Sequence, residues 1–248
     1  MISKNQIKFV RQLEQKKRRR AERAFVAEGP KVVGDLLDCG FTALQLFATE
    51  AWIADHRGAD ALRTARVECT TDDELRRLSF LQHPQEVLGV FQLPDDSAVR
   101  PTGGLRLALD GVQDPGNLGT IIRVADWFGI DTIYCSEDTA DAWSPKVVQA
   151  TMGSIARVNI IYCNLPTLIS ESTVPVYGTL LDGNDIYTEV LSADGIIVMG
   201  NEGNGISPAV RKLITRRLLI PRYHEGAESL NVAIATAITC AEFRRRTD

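Results

Sequence analysis

A chain of 248 residues, 44% hydrophobic and 24% charged, is long enough to bury one or two cores without disulfides or a structural metal. Its apolar runs, such as GIIVMG (195–200), are strand-sized and far short of the roughly 20 residues that cross a bilayer, so no membrane span is expected. The formal charge is −4, yet nine basic side chains against two acidic ones make residues 1–23 a +7 segment and leave −11 elsewhere, which places any attraction for phosphate at that end.

Ile7, Val10 and Leu13 recur at helical spacing in a polar stretch and predict one basic helix ending near FVAEGPK. Its Lys16, Lys17, Arg18, Arg19 and Arg20 are candidate phosphate contacts or else a solvated helix face. KVVGDLLDCG then reads as a helix, LQLFAT as a strand, AWIADHRG as a helix and RVECT as a strand. Thr71 and Glu74 have capping-box spacing and open a short helix through Leu78, and EVLGVFQL (86–93) is a further strand. Residues 94–104, PDDSAVRPTGG, carry two prolines and two glycines and read as a linker. The expected organisation is an N-terminal domain over 1–95, a linker over 96–104 and a C-terminal domain over 105–248.

In the C-terminal part LRLALD, DTIYC, PVYGTLL, GIIVMG and RLLIP read as strands. NLGTIIRVADWFGI, SPKVVQATMG, SPAVRKLI and SLNVAIATAITCAEFRRR read as helices, with Ser207 and Pro208 as an N-cap and first-turn pair. This alternation implies an α/β fold with a parallel sheet covered on both faces. Five scattered cysteines without a C-x-x-C pair and three scattered histidines indicate neither a disulfide framework nor a metal site. The opening MISKNQIKF lacks the apolar core of a signal peptide, and a cytoplasmic location is the expectation.

Ligands of open parallel sheets bind beyond the carboxyl ends of strands, and three loops there have unusual composition. DGVQDPGNLG (110–119) packs three glycines, a proline, two aspartates and an asparagine between a strand and a helix. GNEGNGIS (200–207) places three glycines around Glu202, and PRYHEGAESLNV (221–232) leads through Ser229 and Asn231 into a helix. Such loops let a ligand approach backbone amides closely, although glycine-rich turns also exist only to make the turn. The P-loop, G-x-G-x-x-G and G-x-S-x-G patterns are absent.

LDGVQDPGNLGTIIRVADWFG, IIVMGNEGNGIS and LLIPRYHEGAESLNVAIATAI resemble, in order and spacing, the three motifs of the SpoU (TrmH-type) RNA 2′-O-ribose methyltransferases of the SPOUT superfamily. The resemblance covers roughly residues 105–246, and RAFVAEGPKVVGDLLDCG resembles the entry to the small N-terminal substrate-binding domain of many such enzymes. It implies a C-terminal domain tied in a deep trefoil knot, an exception to the general rule. It also implies a homodimer and a metal-free transfer from S-adenosyl-L-methionine to a ribose 2′-hydroxyl of RNA, rRNA rather than tRNA because of the extra domain. A non-catalytic RNA-binding member of the fold and a tRNA ribose methyltransferase are the alternatives.

Carried over by position, the resemblance nominates Gly200, Asn201, Gly203, Ile220 and Leu230 for cofactor binding, with Thr179 and Leu180 on the adenosine side. It nominates Asn117, Arg123, Glu202, Ser229 and Asn231 for catalysis, and Lys146 joins Lys16–Arg20 as a candidate RNA contact. Arg123 acts either as the base or as a clamp on an RNA phosphate, the second being chemically easier for a guanidinium. Glu202 orients the ribose and Arg123 or stabilises its own loop. Six residues, RYHEGA, separate Pro221 from Glu228 where the family commonly has five, which displaces Gly226 and leaves Tyr223 and His224 either contacting ligand or filling the insertion.

Overall fold

The computed structural model describes residues 1–57, 65–95, 103–224, 226 and 229–246. Most of the expected linker, 96–102, therefore lies outside the described residues, as does Glu228. By its contacts the chain divides into two compact units, Met1–Asp95 with Asp141–Ala156, and Asp96–Ala140 with Arg157–Asp248.

In the first unit the N-terminal segment forms two helices, α1 (Lys4–Gln12) and α2 (Lys16–Glu22), where the periodicity predicts one. A capping box of Ser3 and Gln6 opens α1, and Gln15 is extended, with ψ 126°. The break lets Leu13 turn fully into the core, and Arg19 folds back to satisfy the carbonyls freed there, donating from Nη1 to Leu13 O and Glu14 O at 2.6 Å each. Its Nη2 reaches Asp141 Oδ2 at 2.7 Å, and the residue is only 3% exposed. Arg19 is thus removed from the set of candidate RNA contacts, since a buried, ion-paired guanidinium cannot meet a phosphate.

Left-handed Arg23 ends α2, and the chain enters β1 (Ala24–Glu28). The helical stretch thus ends just before FVAEGPK, while β1 itself has no counterpart among the expected elements: every β1 residue is buried, and a short apolar run covered on both faces carries no alternation to distinguish it. α3 (Pro30–Asp38), β2 (Ala43–Ala48), α4 (Glu50–Asp55), β3 (Arg66–Cys69), α5 (Asp72–Leu78) and β4 (Val87–Gln92) follow. α5 opens with the expected box, Thr71 Oγ1 accepting from Glu74 N and Glu74 Oε2 from Thr71 N. The sheet order is β1-β4-β2-β3, with β4 antiparallel to both neighbours and β3 parallel to β2. Residues 141–156 belong here because Trp143 lies 4.7 Å from Phe25 between ring centroids and Asp141 pairs with Arg19.

The second unit holds β5 (Leu105–Asp110), α6 (Pro115–Trp127) and β6 (Thr132–Cys135), while α7 (Pro145–Ala150) falls in the first. β7 (Asn159–Tyr162) and α8 (Leu165–Ser170) stand where no element is predicted. β8 (Val176–Asp185), β9 (Gly195–Gly200), α9 (Pro208–Arg211), β10 (Arg216–Leu219) and α10 (Val232–Arg245) complete it. The described strands form the expected parallel sheet in the order β10-β8-β9-β5-β6-β7. β9 and β5 are neighbours ending in register at Gly200 and Asp110, so the first two suspect loops emerge side by side.

Candidate functional site

The loop after β5 turns at Gly111, whose φ of +74° suits glycine, and its N–H is held by Ser136 Oγ at 2.8 Å. Asp114 caps α6 by accepting from Asn117 N at 2.8 Å, with Pro115 in the first turn, and so places Asn117 at the helix entrance. After β9, Asn201 pairs its backbone with that of Gly205, accepts on Oδ1 from the N–H groups of Gly203 and Asn204 at 2.9 Å, and donates from Nδ2 to Gly111 O at 2.6 Å. A Cβ on Gly200 would stand 2.3 Å from the Gly205 carbonyl carbon and 2.4 Å from Ile206 N, so this close fold of the loop requires glycine. Asp110 adds a further tie by accepting from Ser207 N at 2.6 Å.

The third loop joins through Asn231, whose Oδ1 caps α10 by accepting from Ala233 N and Ile234 N. Its Nδ2 donates to Asn117 Oδ1 at 2.8 Å, and Asn117 Nδ2 donates to Glu202 Oε1 at 2.9 Å. Each amide orientation is dictated by the next: a carboxylate only accepts, so Asn117 must turn its NH2 to Glu202 and its carbonyl to Asn231. Glu202 also accepts from Gln113 N and Asp114 N at 3.2 Å. Partial burial works against its charge, but the hydrogen bonds from Asn117 and the loop amides outweigh it and hold the carboxyl below its ordinary range.

Beside this link lies a cavity of about 710 Å³, of the size that small-molecule sites occupy. Thr179, Leu180, Gly200, Asn201, Gly203, Ile220 and Leu230, the seven residues nominated for cofactor binding, all line it, together with Glu202 and Ser229. Asn117 and Asn231 are joined to its wall through Glu202 without lining it. Arg123 is exposed on α6, does not line the cavity, and its side chain makes no hydrogen bond among the described residues. Sequence reasoning missed Asp182 and Arg211, which line the cavity as an ion pair joined by Arg217. The guanidinium of Arg211 holds the Asp182 carboxyl below its usual range. The signal was faint, because β8 runs on to Asp185 where its apolar character ends at Leu181.

The cavity suits S-adenosylmethionine on its own chemistry. Leu180, Ile220 and Leu230 offer apolar surface, glycine backbone lies open around Gly200, and Glu202 supplies an ionised carboxylate for a cation. Of the remaining nominated residues, Lys17, Arg18, Arg20 and Lys146 are exposed in the first unit and Lys16 is half-buried.

Comparison with known proteins agrees with this geometry. Residues 104–241 match the SpoU rRNA Methylase family, and residues 4–89 match the MRM3-like substrate binding domain. The 23S rRNA (guanosine(2553)-2′-O)-methyltransferase RlmP of Bacillus subtilis is 32% identical over 249 residues, spanning 98% of this chain and 97% of that protein. A TrmH-family protein from Porphyromonas gingivalis superposes with a TM-score of 0.90 at 44% identity, covering 100% of both chains. An AdoMet-bound rRNA methyltransferase from Sinorhizobium meliloti does so at 0.90 and 33%, covering 100% of this chain and 97% of that one. With three motif loops drawn together at one cavity and a family match over more than half its length, the chain belongs to the SpoU rRNA methylase family.

Proposed function

We propose that the protein transfers a methyl group from S-adenosylmethionine to a ribose 2′-hydroxyl of ribosomal RNA and works in the cytoplasm. The observation that carries this reading is the Asn231–Asn117–Glu202 link, which joins all three motif loops at the cavity wall. Bound cofactor supplies an electrophilic methyl on a sulfonium, so the chain needs only to position the hydroxyl and take up its proton. Thr179, Leu180, Gly200, Asn201, Gly203, Ile220 and Leu230 would hold that cofactor. Glu202 stays ionised and accepts a ribose hydroxyl, while Ser229 adds a second polar group on the same wall. Arg123 serves as a two-pronged clamp on an RNA phosphate that receives the proton, because a guanidinium offers only donors and no acceptor for a proton.

A knotted backbone path is part of the same reading, and Arg246, just past α10, donates to the carbonyls of Tyr187 and Glu189 and so ties the last helix to the turn following β8. So is a homodimer with its cavities near the subunit interface. Trp127, four residues beyond Arg123 on the same stripe of α6, is 85% exposed, and Ile234 on the adjacent α10 is 52% exposed; a second copy would cover both. Light scattering should then give twice the chain mass of 27.3 kDa. For the activity, methyl-labelled cofactor and 23S rRNA should yield label in a 2′-O-methylated nucleoside after complete digestion. Label on a base, or none, refutes the reading.

A further inference from the structure

We infer that α1 and α5 form a phosphate-binding surface for RNA centred on an Arg11 guanidinium stacked on Phe80, a site distinct from the lysine and arginine run of α2. The inference rests on the reading of RNA as substrate. Its starting point is spacing: Lys4, Lys8 and Arg11 stand four and three residues apart, which puts them on one stripe of α1, and all three are exposed. Arg77 of α5 is exposed as well, and its carbonyl accepts from Arg11 Nε at 3.3 Å.

That hydrogen bond and the ring beneath hold the guanidinium in place. Arg11 Cζ lies 5.3 Å from the Phe80 centroid, within cation–π range; its Nη atoms make no hydrogen bond among the described residues, and its charge also favours the nearby buried Glu28 carboxylate. Phe80 is in turn positioned from below, because the buried Glu28 accepts from Phe80 N at 2.9 Å and from Ser79 Oγ. Of the three acidic residues in the first turn of α5, Asp73 pairs with Arg76, Glu74 accepts from the N–H groups of Ile2 and Thr71, and Asp72 is exposed. An exposed planar donor whose Nη atoms make no hydrogen bond among the described residues, with two lysines before it on the same stripe, matches a nucleic-acid backbone. The surface lies within residues 4–89, the part that matches a substrate binding domain.

The test is fluorescence anisotropy with a labelled single-stranded RNA and with 23S rRNA, read across salt concentrations without methyl transfer, alongside cofactor titration and a thermal melt. A single-strand phosphate contact carries a slope of about −0.7 in log K against log salt, which at 0.1 M salt amounts to about fivefold in affinity. Arg11→Ala should therefore weaken binding about fivefold, and Lys8→Ala with Arg11→Ala should flatten the slope by about 1.4, with cofactor affinity and melting unchanged. Arg11→Lys keeps the charge but cannot stack and fork, so it should restore the slope and only part of the affinity. Unchanged affinity and slope in the double variant would overturn the inference even in an active methyltransferase. Equal competition by an acidic polypeptide would overturn it in favour of a protein partner. If the wild type methylates no RNA, the functional reading fails while the binding measurement still decides this one.

Discussion

Replacing Arg19 by alanine separates structure from RNA binding inside a run of five basic residues. In the folded protein Arg19 is 3% exposed and makes three hydrogen bonds, to Leu13 O, Glu14 O and Asp141 Oδ2. Its removal leaves two carbonyls and a carboxylate to find new partners. Losing one member of a buried pair costs about 3–5 kcal/mol, and Asp141, with 16% of its side chain exposed, can draw in water, so the lower end of about 3 kcal/mol applies. For a chain of this size that lowers Tm by about 6–12 °C. Arg18→Ala, on the exposed side, should stay within about 0.5 kcal/mol of wild type. Circular dichroism melts of the two variants, with cofactor titration as a control on the second unit, make the comparison. Arg19→Met combined with Asp141→Leu should recover part of the loss, because no unpaired charge stays buried while the two carbonyls and the Trp143 N–H still lack their partners. An Arg19→Ala protein that melts with the wild type and merely binds RNA less tightly would refute the argument.

Gly200→Ala should cost about 1–3 kcal/mol and sharply reduce cofactor affinity by calorimetry, since a Cβ at 2.3 Å from the Gly205 carbonyl carbon forces the loop apart. Asn117→Asp sets a carboxylate against Glu202 and should lose more methyl transfer at neutral pH than Asn117→Ala, recovering in part on acidification as the pair takes up one proton. In the wild type the Glu202 carboxyl is depressed, so its contribution is complete above the ordinary carboxylate range and is lost only as pH falls through the lowered value; a pH profile for transfer that declined well above that range would count against it. Arg123→Ala should abolish turnover and leave cofactor affinity within a few-fold, with poor rescue by Arg123→Lys; calorimetry showing lost cofactor binding would remove Arg123 from the chemical step.

Much of the fold was legible because its signals are local. Strand-sized apolar runs alternating with helical periodicity specify a parallel α/β sheet, and Thr71, Asp114, Ser207 and Asn231 begin helices through hydrogen bonds that reach only two or three residues ahead. The three loops likewise announced themselves through glycine, proline and asparagine at strand ends. Tertiary structure alone decided what lies far apart in the chain. Asn117 meets Glu202 across 85 positions and Asn231 across 114, and these meetings depend on β9 lying beside β5. The same holds for Arg19, whose neighbours in KKRRR look no different from it. Only the break after α1 and the arrival of Asp141, 122 residues away, turn one of five equivalent cations inward, because a buried guanidinium is tolerated only where carbonyls and a carboxylate converge on it.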